Sequence, residues 1–290
     1  MAGMYAPDAP GESGLIRVLA PNPSPMTAEG TNSYVLGTSD LAVIDPGPDL
    51  PAHLDALVAA IGGRPVRAIL VTHAHLDHSP AAHPLARRVG APVLAFGSLP
   101  APPDDRPDIG GGEGVDRAFR PDRTLAAGDT VTGTGWTLRA LHTPGHMPDH
   151  LSFHWVETRA TFTGDTVMGW ASTMISPPDG DLDAFYASLD ALERLDASRF
   201  YPGHGAPVDA PAARCRALRA HRDDRTRAIL TALVAAPTIP ELVHLIYADT
   251  PQTLHGAASR NVLAHLLHLA KAGRVGADPA PGPQARWYLI

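Results

Sequence analysis

The segment VTHAHLDHSP, residues 71–80, restricts the fold more than any other stretch of this chain. It follows the apolar run VRAILVT, which reads as a buried β-strand, and leads into AAHPLARRVG, which reads as a helix. In extended backbone alternate side chains face one way, so His73, His75 and Asp77 point to one side of the strand's end. His78 begins the next helix and points back from a different angle. Imidazoles this crowded gain little from packing, whereas a cation among them would hold them together. The chain must therefore end a strand, turn, and start a helix around one small polar volume.

Three other stretches repeat that setting. HTPGHMPDH places His142, His146 and His150 after the strand GWTLRALHT. FTGDT places Asp165 at the end of ATFTGD, and YPGHG places His204 after RFYPG. Each sits beside glycine, where the backbone can turn sharply and approach a site closely. Any one of these strings could be an ordinary turn. Their recurrence at strand ends along one sheet edge is the stronger signal.

THAHLDH, HTPGH, GDT and PGHG, in this order, resemble the metal-binding motifs of the metallo-β-lactamase superfamily over residues 21–205. The resemblance implies an α/β fold, a four-layer αββα sandwich with its metals at one edge between two sheets. It implies that His73, His75 and His146 bind a first metal, that Asp77, His78 and His204 bind a second, and that Asp165 bridges them. The expected cofactor is two divalent ions, zinc first by its nitrogen and oxygen donors, with manganese or iron also suited. Two such ions ~4 Å apart share a water and lower its pKa toward ~7, so a bridging hydroxide attacks an ester, thioester or phosphodiester. Asp77 is the expected catalytic carboxylate, orienting that hydroxide and shuttling its proton.

Other residues carry two readings each. Asp45 in VIDPG hydrogen-bonds a ligating imidazole or caps its Pro-Gly turn. Asn32 in GTNSY contacts substrate or serves the turn, and His142 and His150 are buried hydrogen-bonders rather than ligands, with His142 expected beside Asp45 to support the ligating imidazoles. Residues 100–122 and 168–181 flank motif-bearing strand ends and are expected to line the pocket, with Trp170 and Met174 as an apolar wall. Cys215 is the single cysteine, so no internal disulfide forms and it reads as a small buried apolar side chain.

Composition is globular, 44% apolar and 18% charged, with a formal net charge of −7 that does not favour phosphate backbones as a whole. No run approaches the ~20 apolar residues of a membrane-spanning helix, and no secretory signal opens the sequence; the cytoplasm, away from membranes, is the expected compartment. Strands cluster before Gly205 and helices dominate after it, which divides the 290 residues into 1–212 and 213–290. The tail resembles the small winged-helix domain of one superfamily branch, which includes a mitochondrial endoribonuclease that cuts single-stranded RNA. Its helix SRNVLAHLLHLAKAGR offers only Arg260, Lys271 and Arg274 as basic residues, which favours packing against the catalytic domain or a homodimer over reading nucleic acid. The expected partner is a small-molecule or short nucleic-acid substrate. The alternatives are a single-stranded RNA endoribonuclease, a mononuclear iron persulfide dioxygenase, or a winged-helix nucleic-acid binder with an idle metal domain. The complete ligand set weighs against the last two.

Overall fold

A computed structural model describes residues 12–97, 99 and 114–290. Its centre is two mixed sheets stacked face to face. The first contains, in spatial order, β1 (Leu15–Leu19), β2 (Asn32–Leu36), β3 (Leu41–Ile44), β4 (Val66–Leu70), β5 (Val93–Ala95) and β6 (Arg123–Thr124). Its first three strands run antiparallel and β3 to β6 run parallel. The second contains β7 (Thr130–Gly133), β8 (Trp136–His142), β9 (Leu151–Trp155), β10 (Ala160–Gly164) and β11 (Arg199–Pro202). It is an antiparallel meander until β11, which lies parallel to β10.

The near-continuous apolar strands make sense because both faces are covered. In β4, Ala68 and Leu70 face the second sheet, packing with Leu138, Phe153 and Phe162. The intervening Ile69 turns the other way, toward helices α1 (Pro51–Ile61) and α2 (Ala82–Val89), where it meets Leu57 and Leu85. The second sheet is backed by α3 (Leu182–Glu193) and α4 (Pro211–Ala232): Phe185, Leu189, Cys215 and Leu218 pack with Phe200 of β11. The layer order is helix, sheet, sheet, helix, the sandwich that the motifs imply. Each large side chain buried in these layers contributes about 1.5–3 kcal/mol.

The C-terminal part forms its own core from α5 (Ile239–Ile246), α6 (His255–Lys271), β12 (Val275–Asp278) and β13 (Arg286–Leu289). Leu242, Leu263, Leu266 and Trp287 fill it. The expected division at 212/213 falls inside α4 rather than in a linker. That helix starts in the sandwich core at Cys215 and ends in the C-terminal core at Ile229. Among the described residues no helix is long and apolar enough to cross a membrane.

Two local expectations change. The helix expected to run to Arg274 ends at Lys271; Gly273, at φ 67°, turns the chain and Val275 opens β12. The stretch 100–122 lies partly outside the described residues, and its described end packs on the histidine loop. There Leu76 N–H donates to the Gly114 carbonyl at 2.6 Å and Asp116 N–H to Ala74 at 2.8 Å.

Candidate metal centre

The histidines and carboxylates all come from loops that follow strands. Asp45 follows β3, His73 to His78 follow β4, His146 follows β8, Asp165 follows β10 and His204 follows β11. Parallel pairing puts the ends of β10 and β11 on one edge. The two sheets are joined there by Leu151 N–H to the Thr72 carbonyl and Asn32 N–H to Gly203, both 2.7 Å. Gly203 sits where a side chain would collide with the Asp165 carboxylate and come 2.7 Å from His78 Cε1.

Three groups of donor atoms converge, each within 4.8 Å: His73, His75 and His146; His73, His78 and Asp165; Asp77, His78 and His204. His75 presents Nδ1, with His73 Nε2 at 2.9 Å and His146 Nε2 at 3.1 Å. Asp77 Oδ2 lies 3.1 Å from His204 Nε2, and Asp165 Oδ2 lies 3.4 Å from the same atom and 3.7 Å from His146 Nε2.

Tautomers follow from the outer partners. His146 Nδ1–H donates to the Met174 carbonyl at 2.8 Å and His204 Nδ1–H to Gly30 at 3.1 Å. His78 Nδ1–H donates to Asp45 Oδ2 at 2.9 Å. The Thr72 hydroxyl gives its proton to Asp45 Oδ2 at 2.8 Å, so it accepts from His73 Nδ1–H at 3.0 Å. Four imidazoles are thus held by Nδ1–H, which leaves each Nε2 lone pair facing inward as a ligand atom. Asp45 also accepts from Thr72 N–H at 2.7 Å, and its own φ of 49° bends the chain after β3.

The charges divide. Burial first, then neighbouring imidazoles, holds His73 well below the usual histidine range and pushes His75 down to about 3. Burial likewise lowers His146. Burial also opposes charge on His204, yet Asp165 and Asp77 override it and lift His204 to about 10. His78 is raised for the same reason, by Asp77, Asp165 and Asp45 against its burial. Both carboxylates are held below their ordinary range, burial being overcome by His78 and His204.

This donor set fits a divalent cation. His78 Nε2 and Asp165 Oδ1 are buried and face each other at 3.5 Å, beyond a good hydrogen bond, and neither has a hydrogen-bond partner among the described residues. Such orphaned groups cost about 1–3 kcal/mol each, more when charged, unless something satisfies them. Cys215 is buried away from the cluster, and burial lifts its thiol to about 12.

The outer residues divide between turns and supports of the ligands. Asn32 does not face substrate: it is fully buried and its amide donates to the Pro202 and Gly205 carbonyls at 3.0 and 2.9 Å, fixing the His204 turn. His142 does not hydrogen-bond a ligand; its Nε2 bonds the Pro148 carbonyl at 2.9 Å and its ring stacks on Phe96. The supporting role falls to His150, which stacks on His73 and accepts from Asp165 N–H at 3.1 Å. Asp149 was not singled out, although it stands in the quoted HTPGHMPDH. Its Oδ2 accepts from Ala74 N–H at 3.0 Å, and burial raises it to about 7.

Above the cluster lies a cavity of about 410 Å³ whose floor includes His75, Asp77, His146 and His204. Met26, Met168, Trp170 and Met174 wall it, and Arg117 and Arg260 reach it from opposite parts of the chain. The pocket's share of residues 100–122 is Gly114, Val115 and Arg117; residues 100–113 lie outside those described. The C-terminal part also braces this wall. Arg222 of α4 donates to the Thr173 carbonyl, and Asn261 of α6 accepts from Ile175 N–H at 3.2 Å and from Arg222 at 3.0 Å.

Comparison with known proteins agrees with this architecture. Residues 26–204 match the metallo-beta-lactamase superfamily, and residues 238–287 match the beta-lactamase associated winged helix domain. The chain is 33% identical over 277 residues to the beta-lactamase-like protein 2 homolog of Drosophila melanogaster, covering 91% of this chain and 90% of that one. It is 29% identical over 288 residues to a protein of Aspergillus chevalieri named atrochrysone carboxyl ACP thioesterase, with 95% and 87% covered. A solved metallo-beta-lactamase family protein from Thermus thermophilus aligns with a TM-score of 0.75 at 25% identity, covering 96% and 99%. With its ligand-bearing strand ends, its αββα layers and its C-terminal winged helix, the chain belongs to the metallo-beta-lactamase superfamily and is a hydrolase of that superfamily.

Proposed function

We propose that this chain is a dinuclear hydrolase of thioesters and related carboxylic esters with a largely apolar acyl part, and that zinc is its metal. One observation carries the reading: the donor cluster forms the floor of a cavity whose walls are methionine and tryptophan. An acyl chain gains from such walls by leaving water. The relative named as an acyl carrier protein thioesterase supports the same substrate class.

His73, His75 and His146 would hold one ion, Asp77, His78 and His204 the other, and Asp165 would reach both. Bound there, divalent ions supply Lewis acidity and bring the pKa of a water toward ~7. The chain's own groups do the remaining work. The Nδ1–H donations of His73, His78, His146 and His204 hold the rings so that none rotates away. Asp77 keeps 26% of its side chain exposed, at the cavity floor, and the Thr31 hydroxyl donates to its Oδ2 at 3.4 Å. It is placed to take the proton of the attacking water and deliver it to the leaving sulfur. The water oxygen bonds to the acyl carbon, the C–S bond breaks with its electron pair on sulfur, and a carboxylic acid and a thiol leave. The buried Cys215 takes no part.

RNA cleavage is the weaker reading. A polyanion would enter a cavity with two guanidiniums, one of which Asp179 already engages at 2.8 Å. The test is elemental analysis of the purified chain with turnover of a hexanoyl thioester and of bis(p-nitrophenyl) phosphate. Two metal ions per chain and a kcat/KM at least tenfold higher for the thioester support the reading. Absence of metal, or preference for the phosphodiester, overturns it. Asp77→Ala should lower thioester kcat by at least the ~10²–10⁴-fold worth of a positioned acid–base group, and should also weaken retention of the ion that Asp77 would help hold.

A further inference from the structure

Arg117 and Arg260 both line the cavity, but they differ in what already holds them. Arg117 donates to Asp179 at 2.8 Å. Arg260 has no carboxylate partner among the described residues. Among those residues its Nη2 meets the Met174 thioether, at 3.7 Å, and its Nε is buried without an acceptor. A thioether is a weak acceptor for a guanidinium. The six arginines of α4 are better satisfied: Arg216, Arg219 and Arg227 pair with Glu193, Asp190 and Asp224, and Arg214, Arg222 and Arg225 donate to backbone carbonyls.

The position of Arg260 is fixed by its neighbour. Asn261 is tied to Ile175 N–H and to Arg222, so this turn of α6 is anchored on the catalytic sandwich. A guanidinium held part-buried against sulfur is poorly satisfied until an anion arrives, and an oxyanion is its natural complement.

We infer that Arg260 binds an oxyanion carried by the substrate, so that the C-terminal domain supplies part of the specificity of the metal site. The substrate class is an apolar acyl thioester with one anionic group, on its acyl or its thiol portion. The inference rests on the thioester reading for its substrate and on Arg260 alone for its charge selectivity.

The test uses the metal-loaded full chain and three thioesters. The hexanoyl thioester of N-acetylcysteamine is neutral; the adipoyl thioester of the same thiol carries its carboxylate on the acyl side; hexanoyl-3-mercaptopropionate carries it on the thiol side. At least one anionic thioester should exceed the neutral one in kcat/KM by about tenfold, mostly through KM, as a charge-assisted contact would give. Arg260→Met should bring that ratio toward one. Arg260→Lys should keep part of it. Arg260→Glu should reverse it in favour of a 6-aminohexanoyl thioester, a gain that a merely structural role would not produce. Equal rates for all three thioesters in the wild type, or a ratio unchanged in Arg260→Met, overturns the inference.

Should none of the thioesters turn over, the thioester reading falls, and calorimetry decides the role of Arg260 separately. 4-Phenylbutyrate should bind the wild type about tenfold more tightly than 4-phenylbutyramide, and Arg260→Met should lose that difference. A difference that persists in Arg260→Met places the carboxylate on the metal and overturns the inference.

Discussion

The strand-end loops of the sandwich and the α4–α6 face of the C-terminal domain meet at one cavity, yet they contribute in opposite ways. The loops deliver ligands through short, local turns: His73, His75, Asp77 and His78 all follow β4 directly. The C-terminal face delivers single side chains from far along the chain, Arg222, Arg260 and Asn261, with no motif around them. One region is concentrated chemistry on a rigid edge. The other is bracing and selectivity, supplied by packing. If that division holds, damage to the loops should remove metal, and damage to the C-terminal face should change affinity or stability while metal stays bound.

The sharpest way to break the division is Gly203→Ala. A methyl group there meets the Asp165 carboxylate and comes 2.7 Å from His78 Cε1, so two ligands must move at once. Metal affinity should fall by more than the 10–100-fold typical of one lost outer partner, and elemental analysis after dialysis measures it. Next is Asp45→Ala. It removes the acceptor that fixes His78 and, through Thr72, His73. A 10–100-fold loss of metal affinity is expected. A variant that kept full metal would show that the Nδ1 partners do not orient the rings.

The two regions were unequally legible in the sequence. The ligands could be read because each is fixed by the few residues around it: an apolar strand, a glycine and a turn. The paired apolar runs likewise announce two-faced strands such as β3 and β4, whose alternate residues fill different cores. Asn32 and His142 could not be placed from their own pattern. Both stand beside motifs, but which way they face depends on register: Asn32 pairs with Leu19 across β1 and points its amide under the His204 turn. Short strands such as β6, with two residues, take their pairing from neighbours rather than from their own pattern. Arg260 carried the faintest mark, a basic residue within an apolar helix. Its nearness to the cavity arises from how α6 docks on the sandwich, where His268 and Lys271 also reach Asp183 of α3.

Smaller effects should come from the C-terminal face and from the wall it braces. Arg222→Met leaves the Thr173 carbonyl and one contact of Asn261 unpaired, which costs about 1–3 kcal/mol of stability by denaturant midpoint. Metal content should hold, because the substituted side chain touches no ligand. The smallest expected effect is that of Trp170→Ala. Trp170 is 45% exposed and packs over Gly205, where a side chain would come 2.5 Å from its Cδ1. It is therefore wall rather than core, set directly against the residue that follows His204. Its removal should raise KM for the hexanoyl thioester about three- to tenfold, in line with the loss of part of one aromatic side chain's apolar contact. Because Asn32 and Gly30 still hold the His204 turn from the opposite side, kcat and metal content should stay near wild type. A drop in kcat with KM unchanged would mean that Trp170 positions the metal loop, and the boundary between the two kinds of contribution would then run through the wall itself.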